Sequence, residues 1–550
     1  MLEGCTPWPQ EFAASYRQKG YWEDITLREM LDRSVHTHGN KLALIFQNRR
    51  ISYNELAADI DRLAIRLRAT GLAPLERVVL HLPNIPEFVT AFFALVTIGV
   101  IPVLALPAHR HTEIRHFIGH SGAVAYFIPA TFRDFDYRPL AEELRSEFVH
   151  LRQIFVAGSP YPGQTTLCGE PLARNADENV FDFRPDPTEV ALMLLSGGTT
   201  GLPKLIPRTH NDYVCNCEQS GRVAGLDDHS IFLAVLPMAH NYTLASPGIL
   251  ATLAAGGTVV VAPSISAEIV LPLIAREKVT HVAAAVPLVT NWLKAWRPGQ
   301  HDLSSLQVLI NGGARLAPEL RRRVREQFGC KFQEDFGTGE GLLNMTRLDD
   351  DDELVLNSSG APVCADDEIK VVDESEHEVS DGQPGELICR GPYTVRGYYK
   401  APETNATGFT ADGFYRTGDV VRKFGRYLYT VGRKKDLINR GGEKISAEEV
   451  ENLILRYPKV ENVCVVAMPD EVYGERACAF VIPKANQTIG FDELIDFLLT
   501  QKIAKFKLPE RLEIVDNFPL SPAGKILRRN LRQVIEQKVS TERLEAVALP

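Results

Sequence analysis

The chain has 550 residues, 45% apolar and 24% charged, and its 60 basic against 70 acidic side chains leave a formal net charge of −10. Single cores stop growing at roughly 250–300 residues, so one domain is excluded, and the acidic balance argues against nucleic acid as the main partner. Nine cysteines are scattered without paired spacing. Cys215 and Cys217 are too close for a C-x-x-C motif and have no second half, which argues against zinc and suits a reducing cytoplasm. Glu3 and Glu11 near the N-terminus, with no apolar h-region, give no signal peptide, so a cytoplasmic location is expected.

Ser52-x-x-Glu55 is a capping box, and Leu56, Ile60, Leu63 and Leu67 follow at helical spacing before Gly71 ends the helix. A strand is predicted over residues 78–82. Phe88 to Ala108 is long and apolar enough to resemble a membrane span. Gly99, Pro102 and Pro107 interrupt it, so it reads as a buried helix over 87–98 and a buried strand over 100–106, and no membrane partner is expected. Strands are predicted over 231–236, 258–262, 281–285 and 308–310, with helices such as 268–277 between them. This alternation predicts α/β layers with largely parallel sheets. The Asp349–Glu353 acidic run reads as a solvated loop. Strands near 369–372, 386–390 and 427–431 lack intervening helices, which predicts an antiparallel, β-rich subdomain. A boundary near Arg433–Asp436 then divides a large N-terminal domain, 1–434, from a small mobile C-terminal α/β domain, 435–550. In the latter, Ser446-x-x-Glu449 caps a helix, strands lie over 460–466 and 477–483, a helix spans 491–499, and the last dozen residues form a frayed tail.

The chemistry concentrates in motifs. The apolar run Val190–Leu195 feeds the loop Ser196-Gly197-Gly198-Thr199-Thr200-Gly201-Leu202-Pro203-Lys204. Glycine lets backbone N–H groups approach an anion, hydroxyls donate to phosphate oxygens and the lysine adds a point charge, so the loop is suited to a polyphosphate. It is not a Walker A loop, because no G-x-x-x-x-G-K-[ST] occurs there. Further along come Gly337-Thr338-Gly339-Glu340-Gly341, Tyr415-Arg416-Thr417-Gly418-Asp419, Gly432-Arg433-Lys434-Lys435-Asp436 and Pro519-Leu520-Ser521-Pro522-Ala523-Gly524-Lys525. In this order and spacing the chain resembles the adenylate-forming superfamily, over essentially its whole length.

That resemblance implies an acyl-adenylate synthetase fold, ATP and Mg²⁺ as cofactors, and a reaction in which a carboxylate attacks the α-phosphorus of ATP. It implies that Ser196, Gly197, Gly198, Thr199, Thr200, Gly201 and Lys204 hold the β,γ-phosphates and that Glu340 holds the metal. Asp419 would meet the ribose hydroxyls with Arg433 in support. Gly312, Gly313, Ala314, Phe336 and Gly337 would flank adenine. Lys525 would bridge the two anions, His240 joins Lys525 and Glu340 as a catalytic group, and Lys435 occupies the family's hinge position. Two departures stand out: Phe336 replaces the usual tyrosine, and Thr338-Gly339 replaces the Met-Ala pair of the aryl-acid branch. With Glu334 and Asp335 they leave the adenine pocket open in detail.

The segment from His240 to Ser246 points to the acid. Amino-acid-activating members place an aspartate where Asn241 stands; a neutral amide cannot pair an ammonium but can hydrogen-bond an ortho hydroxyl. The chain therefore resembles stand-alone 2,3-dihydroxybenzoate– and salicylate–AMP ligases of siderophore pathways. Tyr242 and Ser246 resemble the dihydroxybenzoate pattern of a polar wall, whereas Leu343 resembles the salicylate pattern. The balance favours 2,3-dihydroxybenzoate, with salicylate or an aryl- or acyl-CoA ligase as alternatives. No carrier motif follows the small domain, so the implied acceptor is the phosphopantetheine of a separate aryl carrier protein.

Overall fold

The computed structural model describes residues 1–167, 183–196, 202–441, 443–501, 503–521 and 525–548. Two large sheets dominate it. The first has nine strands in the order Ala361–Pro362, Leu343–Met345, Lys331–Gly337, Val308–Gly312, His281–Ala284, Ile231–Ala234, Thr258–Val261, Leu42–Phe46, Arg49–Ser52. From Lys331–Gly337 through Leu42–Phe46 the pairing is parallel. The second has seven, in the order Leu205–Thr209, Val190–Leu195, Ile101–Leu104, Arg77–Leu80, Ala125–Pro129, Gln153–Ala157, Thr165–Thr166, with only Leu205–Thr209 antiparallel.

Strand alternation explains how the sheets stack. Val78 and Leu80 point into a core shared by both sheets, while Val79 between them points to the far face. Likewise Val308 and Ile310 face the shared core and Leu309 the opposite one. Helices Tyr53–Ala69 and Pro86–Thr97 fill the shared layer through Leu56, Ile60, Phe88 and Phe92. Helices His111–Ser121 and Arg138–Glu147 cover the outer face of the second sheet, and Ala267–Glu277, Val286–Ala295 and Pro318–Phe328 that of the first. Central parallel strands such as Arg77–Leu80 and Val308–Gly312 are thus buried on both faces, as parallel layers require.

The local signals hold. Ser52 and Glu55 form the reciprocal capping box, and Leu56, Ile60, Leu63 and Leu67 are all buried. The apolar segment breaks at Gly99 into the helix Pro86–Thr97 and the strand Ile101–Leu104; among the described residues no helix is long and apolar enough to cross a membrane. A third sheet, Glu368–Val372, Pro384–Arg390, Tyr415–Phe424, Tyr427–Arg433, is antiparallel throughout. After the single turn Lys434–Asp436, a five-stranded sheet begins at Ile438, with a core around Val450, Val465, Ala479 and Leu494.

Two local expectations are corrected. The C-terminus is not frayed where expected, because the helix Arg528–Ala548 runs through it. Leu531 and Ile535 pack on Cys464 and Phe480, and Arg511 grips Glu542 with two bonds of 2.7 Å. The acidic run is only partly a loop: Asp351 caps the helix Asp352–Asn357 by accepting from Leu354 N at 2.9 Å. A carboxylate at a helix N-terminus satisfies an orphan donor and the helix dipole together.

Candidate active site

Five of the polyphosphate-loop residues, Gly197, Gly198, Thr199, Thr200 and Gly201, lie outside the described residues. The neck of that loop is visible. Ser196 N donates to Lys204 O at 2.9 Å, and Lys204 N donates to Ser196 Oγ at 2.9 Å. This two-bond closure continues the hairpin of Val190–Leu195 with Leu205–Thr209 and brings Lys204 Nζ to 5.3 Å from the centre of the Tyr398 ring.

The same Tyr398 donates its hydroxyl to Glu340 Oε1 at 2.7 Å. Glu340 is buried, and its backbone is held from two sides. Val395 N donates to Glu340 O at 2.7 Å, and Arg208 Nη1 donates to Gly339 O at 3.1 Å. Arg208 is itself wholly buried and paired with Asp212 at 2.7 Å. The carboxylate of Glu340 is thus presented from a rigid base.

Asp419 and Arg433 are cross-strand partners, so their side chains meet by register, with Nε to Oδ1 at 2.9 Å. Asp419 is 3% exposed, yet its Oδ2 has no hydrogen-bond partner. Burial raises its pKa, and the Arg433 and Lys525 charges counter that rise. A buried acceptor without a donor is costly, and this one fits a ligand carrying hydroxyls.

Lys525 comes from the small C-terminal unit. Its backbone is pinned by N–H to Ser521 Oγ at 3.0 Å and by accepting from Ser521 N at 2.7 Å. Its Cε lies 3.3 Å from where a Cβ on Gly313 would stand, and Gly313 has φ +84°. Solvent still reaches the side chain, but the surrounding protein and the Arg433 charge lower its pKa, against the pull of Asp419 and Glu340. Other contacts join the units: Lys294 pairs with Glu461, and the Ser446 hydroxyl donates to Val431 O, while Lys434 at the boundary pairs with Glu386 at 2.9 Å.

A second cluster lies beside Gly313. His240 caps the short helix Asn241–Ala245, its Nδ1 accepting from Tyr242 N at 3.2 Å. That bond leaves the neutral ring's proton on Nε2. Burial, and then the Lys525 charge, push the imidazole pKa down to about 4. Asn241 Oδ1 accepts from the Tyr213 hydroxyl at 2.8 Å, and its Nδ2 donates to Ser246 Oγ at 3.2 Å. Asn216 Nδ2 donates to the same Oγ at 3.0 Å. Tyr242 does not offer its hydroxyl to the cleft as the polar-wall expectation has it. That hydroxyl donates toward Ile310 O at 3.0 Å and Ala284 O at 3.4 Å. Its ring lies so close to Gly312 that a Cβ there would stand 2.6 Å from Tyr242 Cζ, so glycine is required. Gly337 is required in the same way by Leu343, whose Cδ2 would stand at 2.4 Å. Phe336 is half-buried, its carbonyl accepting from Asn344 Nδ2 at 3.1 Å, and Ala314 O accepts from Asn311 Nδ2 at 2.8 Å. Lys435 sits in the Lys434–Asp436 turn, its pKa lowered by burial and then by Arg433.

The described site residues therefore gather where the first and third sheets meet the small unit. Sequence reasoning missed Arg208, Tyr213, Asn216 and Tyr398, which hold the predicted residues in place. The signal that could have found two of them, Arg208 and Asn216, lies in the helix His210–Ala224 and the strand before it. Polar side chains there, Arg208, Asp212 and Asn216, recur at a spacing of four on a face that is fully buried. Among the described residues no group of three or more His, Cys, Asp or Glu gathers as a metal cage. The lone Glu340 carboxylate suits a cation that takes its remaining ligands from phosphates and water.

Known proteins resemble this chain over nearly its whole length. The family model described as AMP-binding enzyme matches residues 31–399, and that described as AMP-binding enzyme C-terminal domain matches 449–525. A 2,3-dihydroxybenzoate-AMP ligase of Bacillus subtilis (strain 168) is 46% identical over 98% of this chain and 99% of its own length. A Streptomyces protein named salicylyl-CoA synthase / salicylate adenylyltransferase is 44% identical over 99% of this chain and 100% of its own. The apo structure of Mycobacterium smegmatis MbtA superposes with a TM-score of 0.75 at 38% identity, covering 96% of this chain and 98% of that one.

Proposed function

The chain belongs to the AMP-binding enzyme family, and on that premise we propose that it activates an aryl acid with ATP, 2,3-dihydroxybenzoate ahead of salicylate. The carboxylate oxygen forms a bond to the α-phosphorus, the bond to the β-phosphate bridging oxygen breaks, and aryl-AMP and pyrophosphate result. The observation that carries the reading is the convergence of Lys525 on Gly313, between the His240–Asn241 cluster and the Asp419–Arg433 pair. Two anions that repel must meet there, and a fixed cation between them lowers the barrier by electrostatic positioning.

Each residue has a physical task. Asp419 Oδ2 accepts from the ribose, filling its empty valence. His240, neutral and protonated on Nε2, donates toward the acid's carboxylate without adding a charge that competes with Lys525. Asn241, held by Tyr213 and Ser246, meets an ortho hydroxyl. Ser196 and Lys204 close the phosphate loop. Glu340 would hold Mg²⁺, which when bound neutralises charge on the departing pyrophosphate. The domains divide as 1–434 and 435–550, and the small one turns about Lys435 so that Lys525 withdraws before the aryl group passes to the phosphopantetheine thiol of an aryl carrier protein.

Acid-dependent ATP–pyrophosphate exchange tests this with 2,3-dihydroxybenzoate, salicylate, benzoate and a panel of amino and fatty acids. Strongest exchange with 2,3-dihydroxybenzoate is expected. Strongest exchange with an amino or fatty acid would leave only the family and the adenylation chemistry standing. Free CoA serving as well as the carrier protein would favour the CoA-ligase reading that the Streptomyces relative's name suggests.

A further inference from the structure

Asp335 belongs to neither the paired nor the exposed carboxylates of the chain. On the strand Lys331–Gly337, Glu334 turns outward and is engaged by Arg321 at 3.1 Å, Asn311 Nδ2 at 3.1 Å and Leu316 N at 3.3 Å. Alternation sends the neighbouring side chains the other way. Gln333 accordingly donates to Val223 O at 3.1 Å, on the helix that also carries Tyr213 and Asn216. Asp335 shares this inner face. Its register partners are Gly312, against which the Tyr242 ring lies, and Met345, two residues from Leu343 on the same face. It is 6% exposed, and its Oδ1 has no hydrogen-bond partner.

We infer that Asp335 is a specificity-determining residue that hydrogen-bonds a hydroxyl or amino substituent on the aryl ring, other than the group that meets Asn241. The inference rests on the aryl-acid reading above and deepens it. Tyr242 cannot serve this second substituent, because its hydroxyl is committed to backbone carbonyls. Leu343 offers no polar atom. Gln333 Oε1 on this inner face is likewise without a partner, but Asp335 is the residue in register with Gly312 and Met345, beside the Tyr242 ring and Leu343. Burial, reinforced by Glu334, raises its pKa and so favours the neutral acid, which can both donate and accept. An acid without the second substituent leaves this carboxyl unpaired, and such mismatches discriminate strongly.

The test is exchange kinetics of wild type, Asp335→Asn and Asp335→Val with benzoate, salicylate, 2,3-dihydroxybenzoate and salicylates carrying a hydroxyl or amino group elsewhere on the ring. Wild type should prefer an acid with a second polar substituent. Asp335→Val should lower kcat/KM for that acid about tenfold or more, while salicylate and benzoate stay within about threefold and the KM for ATP is unchanged. Asp335→Asn, which retains a donor and an acceptor, should keep most of the preference. Asp335→Val should also melt no lower than wild type, since an unpaired buried carboxyl is replaced by a side chain of similar size. Should valine disturb the strand, Asp335→Ala repeats the comparison. An unchanged ratio among acids, or a raised KM for ATP with the ratio intact, overturns the assignment. Failure of every aryl acid to support exchange with wild type overturns instead the reading beneath it.

Discussion

Two arginine–aspartate pairs, each with a buried aspartate, show how this fold separates scaffold from site. Arg208 and Asp212 are both wholly inaccessible, and their capacity is used up. Arg208 donates to Asp212, Gly339 O and Tyr393 O, while Asp212 Oδ2 accepts from Thr209 N at 2.5 Å and from its hydroxyl at 2.8 Å. Arg433 and Asp419 make an equally good contact, yet Asp419 Oδ2 is left without a partner and Arg433 is 46% exposed. Both aspartates carry the desolvation penalty of burial. One recovers it in the folded chain and holds the Glu340 loop; the other is left to recover it from a ligand.

The comparison can be broken at either pair. Arg208→Met should destabilise the fold by about 3–5 kcal/mol, because it strands Asp212 in the interior; a denaturant melt shows this, and an unchanged midpoint would contradict the scaffold role. Lys525→Ala touches the site from a solvent-accessible position. Exchange should fall about 10²–10³-fold with the melting temperature unmoved, and a parallel loss of stability would mean that Lys525 serves mainly to hold the small unit. Asp419→Asn keeps the shape but weakens the acceptor. The KM for ATP should rise about 10–100-fold, the worth of one or two charge-assisted bonds, without loss of stability. A drop in stability as large as that of Arg208→Met would erase the distinction between the two pairs.

What the sequence made legible follows the same division. The capping box at Ser52, the apolar run that makes a strand of Val78–Leu80 and the break at Gly99 are local, and so were read correctly. The motifs that carry Glu340, Asp419 and Lys525 were recognisable by their resemblance, in order and spacing, to the adenylate-forming superfamily. The supports were not. The stretch His210–Ala224 reads as polar nearly all round, and it becomes a buried helix only because several elements close over it. Tyr242 looked like a polar wall, but whether its hydroxyl faces ligand or backbone depends on Ile310, some seventy residues away in the chain. The terminal helix was missed although Leu531, Ile535 and Val539 recur at helical spacing; what turns that spacing into a buried face is Cys464 and Phe480, which reach it only through the sheet.

Ser246 gives the smallest and finest test, because it belongs to both categories. It is 1% exposed, and its Oγ accepts from Asn216 and Asn241, so it is scaffold on one side and holds a specificity group on the other. In Ser246→Cys the thiol is a weaker acceptor than the hydroxyl it replaces. Asn216 retains its bond to Ala245 O at 3.0 Å, so the stability loss should be only about 1 kcal/mol. Asn241 has no such second anchor for its Nδ2, and its amide loosens. The kcat/KM for 2,3-dihydroxybenzoate and for salicylate should therefore fall together, about three- to tenfold relative to benzoate, which lacks the ortho hydroxyl that Asn241 meets, with the KM for ATP unchanged. A fall for 2,3-dihydroxybenzoate alone would give Ser246 a direct contact with the second substituent; unchanged values with unchanged stability would remove it from the pocket.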